Sequence, residues 1–443
     1  MAFVHDSCSE GLDSGLDLWT LPPTQTSVTA GFWETSNPMS SISDDGPLEF
    51  VITNGDPETY LDLANTYLYV KAKVCDGNGD PVEADTNVAP INYWLHTLWQ
   101  QVDVYLNDKL ITASTNMYPY RAYIEALLSY GSEAKKTQLT NALWFRDTPD
   151  HFDGMRENKN TGFAMRFRMT EQSQSVDLMG RLHCDIFHQN RYLLNNVNVR
   201  VKLTRSKSAF NLMSDEQDAV FKPVIEEAYL LVRKVKVNPG VQLGHLKALE
   251  KQPALYPIRR VVTKYFTVGR GQTVANQENL FMGTLPKRLI VGCVGGEAFD
   301  GDYTHNPLQF SHCNIQYLAL NVAGRQIPSK PYTPDFTSAG PGDGKTLARE
   351  YGSLFSSTGK AFRDEGNGIP RMWYDKGYTL FAFDLTPNLT EGEAFDLVRR
   401  GNLRLEIRFD RPLEQTINVI CYAEFDNVIQ IDKARHVLCD FSS

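Results

Sequence analysis

The segment Ala339-Gly340-Pro341-Gly342-Asp343-Gly344-Lys345-Thr346 is the one place in this chain where residue types and spacing suggest a reaction. It fits a relaxed phosphate-binding loop, with Ala where the stricter pattern has Gly, and a helical pattern follows it. Leu380-Phe381-Ala382-Phe383-Asp384 resembles the hydrophobic run whose last Asp binds Mg²⁺. A working loop of this kind needs a buried parallel strand directly upstream, so that backbone N–H groups and the helix N-terminus converge on the phosphates. Here the upstream residues are Pro331-Tyr332-Thr333-Pro334-Asp335-Phe336, and two prolines argue against a central strand. The expectation is a Gly-rich surface loop leading into a helix.

Other chemistry is weaker. His305, His312 and Cys313 can be drawn as a metal trio, but beside a β-run they read as ordinary surface or core. None of the nine histidines forms HExxH or a zinc-spaced Cys/His set. Gly292, Gly295 and Gly296 do not make GxGxxG. Asp300/Asp302 and Asp44/Asp45 fall in Gly-containing turns, where Asp serves local hydrogen bonds. The sequence therefore offers no catalytic residue, no cofactor and no metal ligand, and the chain reads as a non-enzyme. The seven cysteines are scattered and never form CxxC, which predicts free thiols in a reducing compartment. The sequon Asn388-Leu389-Thr390 is then expected to stay unmodified.

The elements that would position such residues are strands, and they come twice. Val197, Val199, Val201 and Leu203 alternate with polar residues, as do Leu403, Leu405, Ile407 and Phe409. Strict alternation places one face in a core and the other in water. Each half has a β-run breaking at a polar turn: Val104-Tyr105-Leu106 before Asn107-Asp108, and Leu318-Ala319-Leu320 before Asn321. Each then has one short amphipathic helix. Pro119 opens the first and Gly131 is placed to close it. Thr346 can cap the second, with Leu347, Tyr351, Leu354 and Phe355 as its stripe. Closing strands follow at Leu231 to Val237 and at Ile417 to Phe425. Hairpin, helix, strand and closing strand recur in one order, which is the grammar of a building block.

Composition bounds the rest. The chain has 443 residues, 42% hydrophobic and 22% charged, enough for a large core in a folded protein. No apolar run reaches the ~18–20 residues of a membrane span, and the acidic N-terminus shows no secretory h-region. A net charge of −9 weighs against strong direct DNA binding, which relies on counterion release at a basic face. The small clusters Arg259, Arg260, Lys264 and Arg233, Lys234, Lys236 read as solvated strand faces. The expected organisation is a polar arm over 1–45, a first β-unit over 46–239 with a charged, loop-rich stretch at Asp147 to Thr161, a connector over 240–255, a second unit over 256–431 and a tail over 432–443.

Long ordered words in the chain resemble the major capsid (hexon) protein of Polinton/Maverick elements and adintoviruses. They include Leu21-Pro22-Pro23-Thr24-Gln25-Thr26-Ser27-Val28, Gly46-Pro47-Leu48-Glu49-Phe50-Val51-Ile52, Tyr118-Pro119-Tyr120-Arg121-Ala122-Tyr123 and Tyr256-Pro257-Ile258-Arg259-Arg260. Similar words at Tyr60 to Val70, Gln101 to Lys109, Asp364 to Ile369 and Tyr378 to Pro387 extend the likeness over most of the chain. The resemblance implies an all-β fold of two tandem eight-stranded jelly-rolls with short helices in the loops. It also implies homotrimers tiling an icosahedral shell around double-stranded DNA, a single jelly-roll penton protein as partner, and a place in the virion after assembly in the host nucleus or cytoplasm. DNA contact would be indirect at most. Two other classes stay open from the residues alone. One is a nucleotide-binding protein using the 339–346 loop. The other is a monomeric double β-sandwich binder with a cleft lined by Trp94, Trp99 and Trp144.

Overall fold

The computed structural model describes residues 5–42, 46–84, 86–216, 219–336, 346–387, 389 and 394–440. The first unit contributes β1 (Val28–Ser36), β2 (Leu48–Ile52), β3 (Thr59–Asp76), β4 (Trp99–Leu106), β5 (Lys109–Leu110), β6 (Val176–Gly180), β7 (Val199–Arg205) and β8 (Phe221–Val237). The second contributes β9 (Ala254–Val268), β10 (Val274–Thr284), β11 (Arg288–Gly295), β12 (Ile315–Val322), β13 (Arg325–Tyr332), β14 (Leu380–Asp384), β15 (Arg400–Phe409) and β16 (Ile417–Ile431). The first unit's sheets run β1-β8-β3-β6 and β2-β7-β4-β5; the second's run β9-β16-β11-β14 and β10-β15-β12-β13. Adding eight to any strand of the first unit gives its counterpart in the second. Every pairing in these sheets is antiparallel, so the chain is two eight-stranded jelly-rolls in tandem.

The alternating runs behave as their spacing requires. Val199, Val201 and Leu203, and Leu403, Leu405 and Ile407, have no exposed surface. The first hairpin turns at Asn107 and Asp108, whose φ of 43° and 66° match the twist of the strands they join. The second turns two residues beyond Asn321. That residue stays in β12 opposite Gln326, and the left-handed pair Ala323-Gly324 makes the bend, with the Asn321 Oδ1 accepting from Gly324 N at 3.0 Å.

Four longer helices lie outside the sheets: α1 (Tyr118–Ser129), α2 (Thr161–Thr170), α3 (Pro239–Leu249) and α4 (Ala348–Ser356). Pro119 lies in the first turn of α1, but the helix ends at extended Tyr130, and Gly131 instead precedes the short helix Ser132–Lys136. Thr346 does not cap α4. Leu347 holds the cap position, and the Thr346 hydroxyl donates to the Asp335 carbonyl at 2.8 Å.

The expected polar arm needs one correction. Its residues 28–36 form β1, paired to β8 from Val28↔Val237 to Ser36↔Leu230. Thr29, Ala30, Gly31 and Glu34 there are exposed, so backbone hydrogen bonds rather than burial hold the strand, and no hydrophobic period marks it.

Two apolar clusters fill the molecule. One is the interior of the second sandwich; the other joins the first sandwich to the outside of the second unit's β9-β16-β11-β14 sheet. On β11, Leu289, Val291 and Cys293 face inward, while Ile290 and Val294 belong to the joint. Burial on both faces explains the unbroken apolar runs of β11, β14 and β16. Gly292 is needed there, because a Cβ would lie 2.6 Å from the Phe310 ring and 2.7 Å from Leu380.

Candidate functional site

The densest chemistry lies in that joint and is assembled from five segments. Helix α1 supplies Arg121 and Glu125, one turn apart on one face. The turn after β6 supplies His183 and Asp185; β16 supplies Tyr422 and Glu424; β9 and β11 add Arg259 and Arg288. Arg121 donates to Glu125 Oε1 at 3.0 Å and to Asp185 Oδ1 at 2.6 Å. Asp185 Oδ1 also accepts from the Val261 N–H of the second unit at 3.2 Å. Tyr422 lies 3.2 Å from both Glu125 and Glu424, and Glu424 accepts from Arg288 at 3.0 Å.

A His–carboxylate pair sits inside: His183 Nδ1 is 2.6 Å from Glu125 Oε2, and its Nε2 is 2.8 Å from the Tyr93 hydroxyl. His96, against Tyr118 at 3.0 Å, stacks edge-on to His183. Burial raises the Glu125 carboxyl, but the Arg121 charge and the His183 hydrogen bond outweigh it and hold the group well below the usual range. Burial pushes Asp185 up and His96 well down, so the imidazole of His96 is neutral at pH 7.

The cavity beside Arg121, His183 and Cys184 holds about 20 Å³, room for a water molecule. A recess of about 210 Å³ opens on the other side of the network, against Glu125, Arg259, Arg288, Tyr422 and Glu424. Burial drives the Cys184 thiol far upward, which removes it as a nucleophile. Glu125, His183 and exposed His188 do approach within 4.8 Å of one another, yet Glu125 is committed to Arg121 and both His183 nitrogens have partners. The site is a polar weld between two sandwiches. No local pattern announced it, because its members are spread from Tyr93 to Glu424; the i,i+4 pair Arg121/Glu125 was the single readable sign.

A second weld lies at the charged stretch 147–161. Arg166 of α2, fully buried, donates to Asp147 Oδ1 at 2.6 Å, Phe145 O at 2.5 Å and Pro90 O at 2.7 Å. Asp147 also accepts from Asn160 at 2.9 Å and from Asn306 of the second unit at 3.2 Å. The Tyr378 hydroxyl donates to the Asp147 carbonyl at 2.7 Å.

Residues weighed from sequence fall elsewhere. Positions 339–345 of the glycine-dense loop, Asp44, Asp45, Asn388 and Thr390 lie outside the described residues. The strand before that loop, β13, pairs antiparallel with β12 at a sheet edge, which is not the parallel central strand a phosphate loop requires. Asp384 accepts from Thr386 N and Oγ1. His305 gathers with Glu297 and Asp302 rather than with His312 and Cys313, while His312 stacks on Phe336. Trp94, Trp99 and Trp144 are buried in the first core; they do not share one cleft among the described residues, and Trp144 borders a recess of about 360 Å³ beside Lys135, Met165 and Trp373. The basic clusters are largely paired: Lys236 with Glu58, and Arg259 near Glu424. Lys234 departs from the expected wet face. A register shift in β8 after Leu231 buries it, with Glu34 at 2.8 Å.

Among the described residues no helix is long and apolar enough to cross a membrane. A recess of about 600 Å³ opens under α3 between Tyr60, Tyr192, Val241, Leu249 and Leu255.

No protein-family model matches the chain. An uncharacterized protein of Caenorhabditis elegans is 28% identical over 433 residues, covering 95% of this chain and 99% of that one. Among solved structures, a chain of the Sputnik virophage superposes with a TM-score of 0.65 at 10% identity, covering 100% of this chain and 95% of that one. The Faustovirus major capsid protein gives 0.58 at 8% identity, over 93% and 92%. The mavirus major capsid protein gives 0.54 at 10% identity, over 99% and 97%. At such identities these likenesses establish a shared double jelly-roll fold.

Proposed function

We propose that this chain is a major capsid protein, a structural and non-enzymatic building block whose trimers form pseudo-hexagonal tiles of an icosahedral shell around double-stranded DNA. A single jelly-roll penton protein at the vertices and assembly in the host nucleus or cytoplasm belong to the same reading, as do unit boundaries near residues 239 and 256. The observation that carries it is an asymmetry between the two equivalent sheets. The outer face of β9-β16-β11-β14 is covered by α1, with Tyr120 stacked on Phe299 and Tyr123 on Phe310. The equivalent face of β1-β8-β3-β6 carries Trp33, Tyr67, Tyr69 and Tyr229, each partly exposed. A second unit from another copy, placed as the first unit sits on the second within one chain, covers that face. Repetition about a threefold axis then closes a six-sided ring from one kind of joint.

The solution mass of the purified chain, followed by electron microscopy, tests this. Trimers and shells are the expected result. A stable monomer at micromolar concentration that never assembles would refute it.

A further inference from the structure

The N-terminal segment and the recess under α3 are complementary in their chemistry, and both are left open. Leu12, Leu16, Leu18, Trp19 and Leu21 all stand in solvent, Trp19 at 87% and Leu21 at 89% exposure. One exposed leucine needs no explanation; five within ten residues, ending in Leu18-Trp19-Thr20-Leu21, form an anchor with no pocket. Helix α3 shows the converse. Only Leu249 of its eleven residues is buried, while Leu243 and Leu246 face outward beside the recess. The recess volume of about 600 Å³ lies within the ~300–1,000 Å³ of ordinary binding pockets, and its walls are mainly apolar: Val28, Val241, Leu249, Ala254 and Leu255.

Charge agrees. No Lys or Arg occurs before Lys71, so the anchor carries Glu10, Asp13 and Asp17 without a compensating base. Exposed Arg191, Lys247 and Lys251 stand at or beside the recess.

We infer that the Leu18-Trp19-Thr20-Leu21 segment of a second copy of this chain seats in the recess under α3. Local geometry favours another copy over the chain's own arm. Ser27 and Val28 already line the recess, and the Gln25 side chain grips the Val28 backbone through bonds of 2.7 and 3.0 Å. The arm would have to reverse within the few residues between Gln25 and Leu21. Pro22-Pro23 occupies that stretch and holds it extended, pointing the anchor away from its own body. The inference rests on the capsid reading only in that copies must meet. It adds a tie distinct from the aromatic sheet face.

The test uses full-length protein. Trp19→Ala/Leu21→Ala disables the anchor and frees the recess; Ala248→Trp, at an exposed position lining the recess, blocks it without entering a core. A fluorescent peptide of residues 8–27 should bind the anchor-disabled chain, and adding Ala248→Trp to that chain should weaken binding at least tenfold. In a mixture, anchor-disabled and recess-blocked chains should associate with each other although neither associates with itself through this tie. Three results overturn the inference: no peptide binding, equal binding of a peptide carrying both alanines, or absence of rescue in the mixture, which would put the arm in its own recess. Loss of trimers in every sample, with peptide binding intact, would count against the capsid reading and leave the recess assignment standing.

Discussion

Replacing Arg166 by Met removes one partner of a fully buried ion pair and leaves the other behind. Both side chains of the Arg166–Asp147 pair have no exposed surface. In Arg166→Met, three hydrogen bonds of the guanidinium vanish, and the Asp147 carboxylate keeps only the Asn160 and Asn306 side-chain amides. Breaking a buried pair in this way costs about 3–5 kcal/mol, because the remaining charge has lost its compensation. With an unfolding entropy of about 2.1 cal/mol/K per residue, 4 kcal/mol lowers the melting temperature by about 4 °C if the whole chain unfolds together. If the first unit of roughly 200 residues melts alone, the same loss gives about 10 °C. Differential scanning calorimetry reads the shift and shows one transition or two. The double change Arg166→Met/Asp147→Asn should recover about 1–3 kcal/mol, since the residual charge is gone while the amide oxygen still accepts. A single variant within about 1 °C of the parent, or a double variant worse than the single one, would refute the reasoning that uncompensated charge sets the cost.

Two other outcomes belong to the same joint. Gly377 has φ 95°, and a Cβ there would lie 2.3 Å from the Phe152 ring, where the first unit's loop meets the second unit; Gly377→Ala should therefore cost about 2 kcal/mol or more, read as a lower melting temperature, and an unchanged transition would refute the contact. His96 is buried among Tyr93, Tyr118 and His183, with Glu125 and His188 nearby, and burial holds it well below its ordinary 6.5. A depressed histidine is protonated more readily in the unfolded chain, so stability should be full above pH 6.5 and fall progressively below it. Urea midpoints at pH 7.5, 6 and 5 check this, and a midpoint constant to pH 5 would show that protonating the joint is costless.

The duplication was legible because strand alternation is a local property. Val199 to Leu203 and Leu403 to Phe409 announce their cores residue by residue. Strand β1 was not legible, since its small and polar residues are held by a backbone ladder that leaves no side-chain period. The run Leu380 to Asp384 resembles in sequence a strand that ends in a Mg²⁺-binding Asp. Only the structure shows that both its faces are covered, one by its own sandwich and one by the joint. The joint was the least legible part, because a network drawing on Glu125, Asp185 and Tyr422 is defined by contacts 64 to 297 residues apart, and no spacing rule spans such distances.

The chemistry of that joint bears on assembly. An apolar seam alone is non-directional, and Ile290, Val294 and Ile420 against α1 would tolerate small slides and rotations. The carboxylates and guanidinium groups set among them do not. Asp185 must meet both Arg121 and the Val261 amide, and Tyr422 must meet both Glu125 and Glu424. Each displaced partner leaves a buried polar group unpaired, at about 1–3 kcal/mol apiece and more where it is charged. Several such constraints acting at once fix the angle between the sandwiches far more sharply than apolar contact does. In the capsid tile proposed above, which would meet identical neighbours on six sides, that angle has to be held constant, because an error in one joint is repeated at every copy. The polar residues of the joint are the means by which one chain keeps two sandwiches in register.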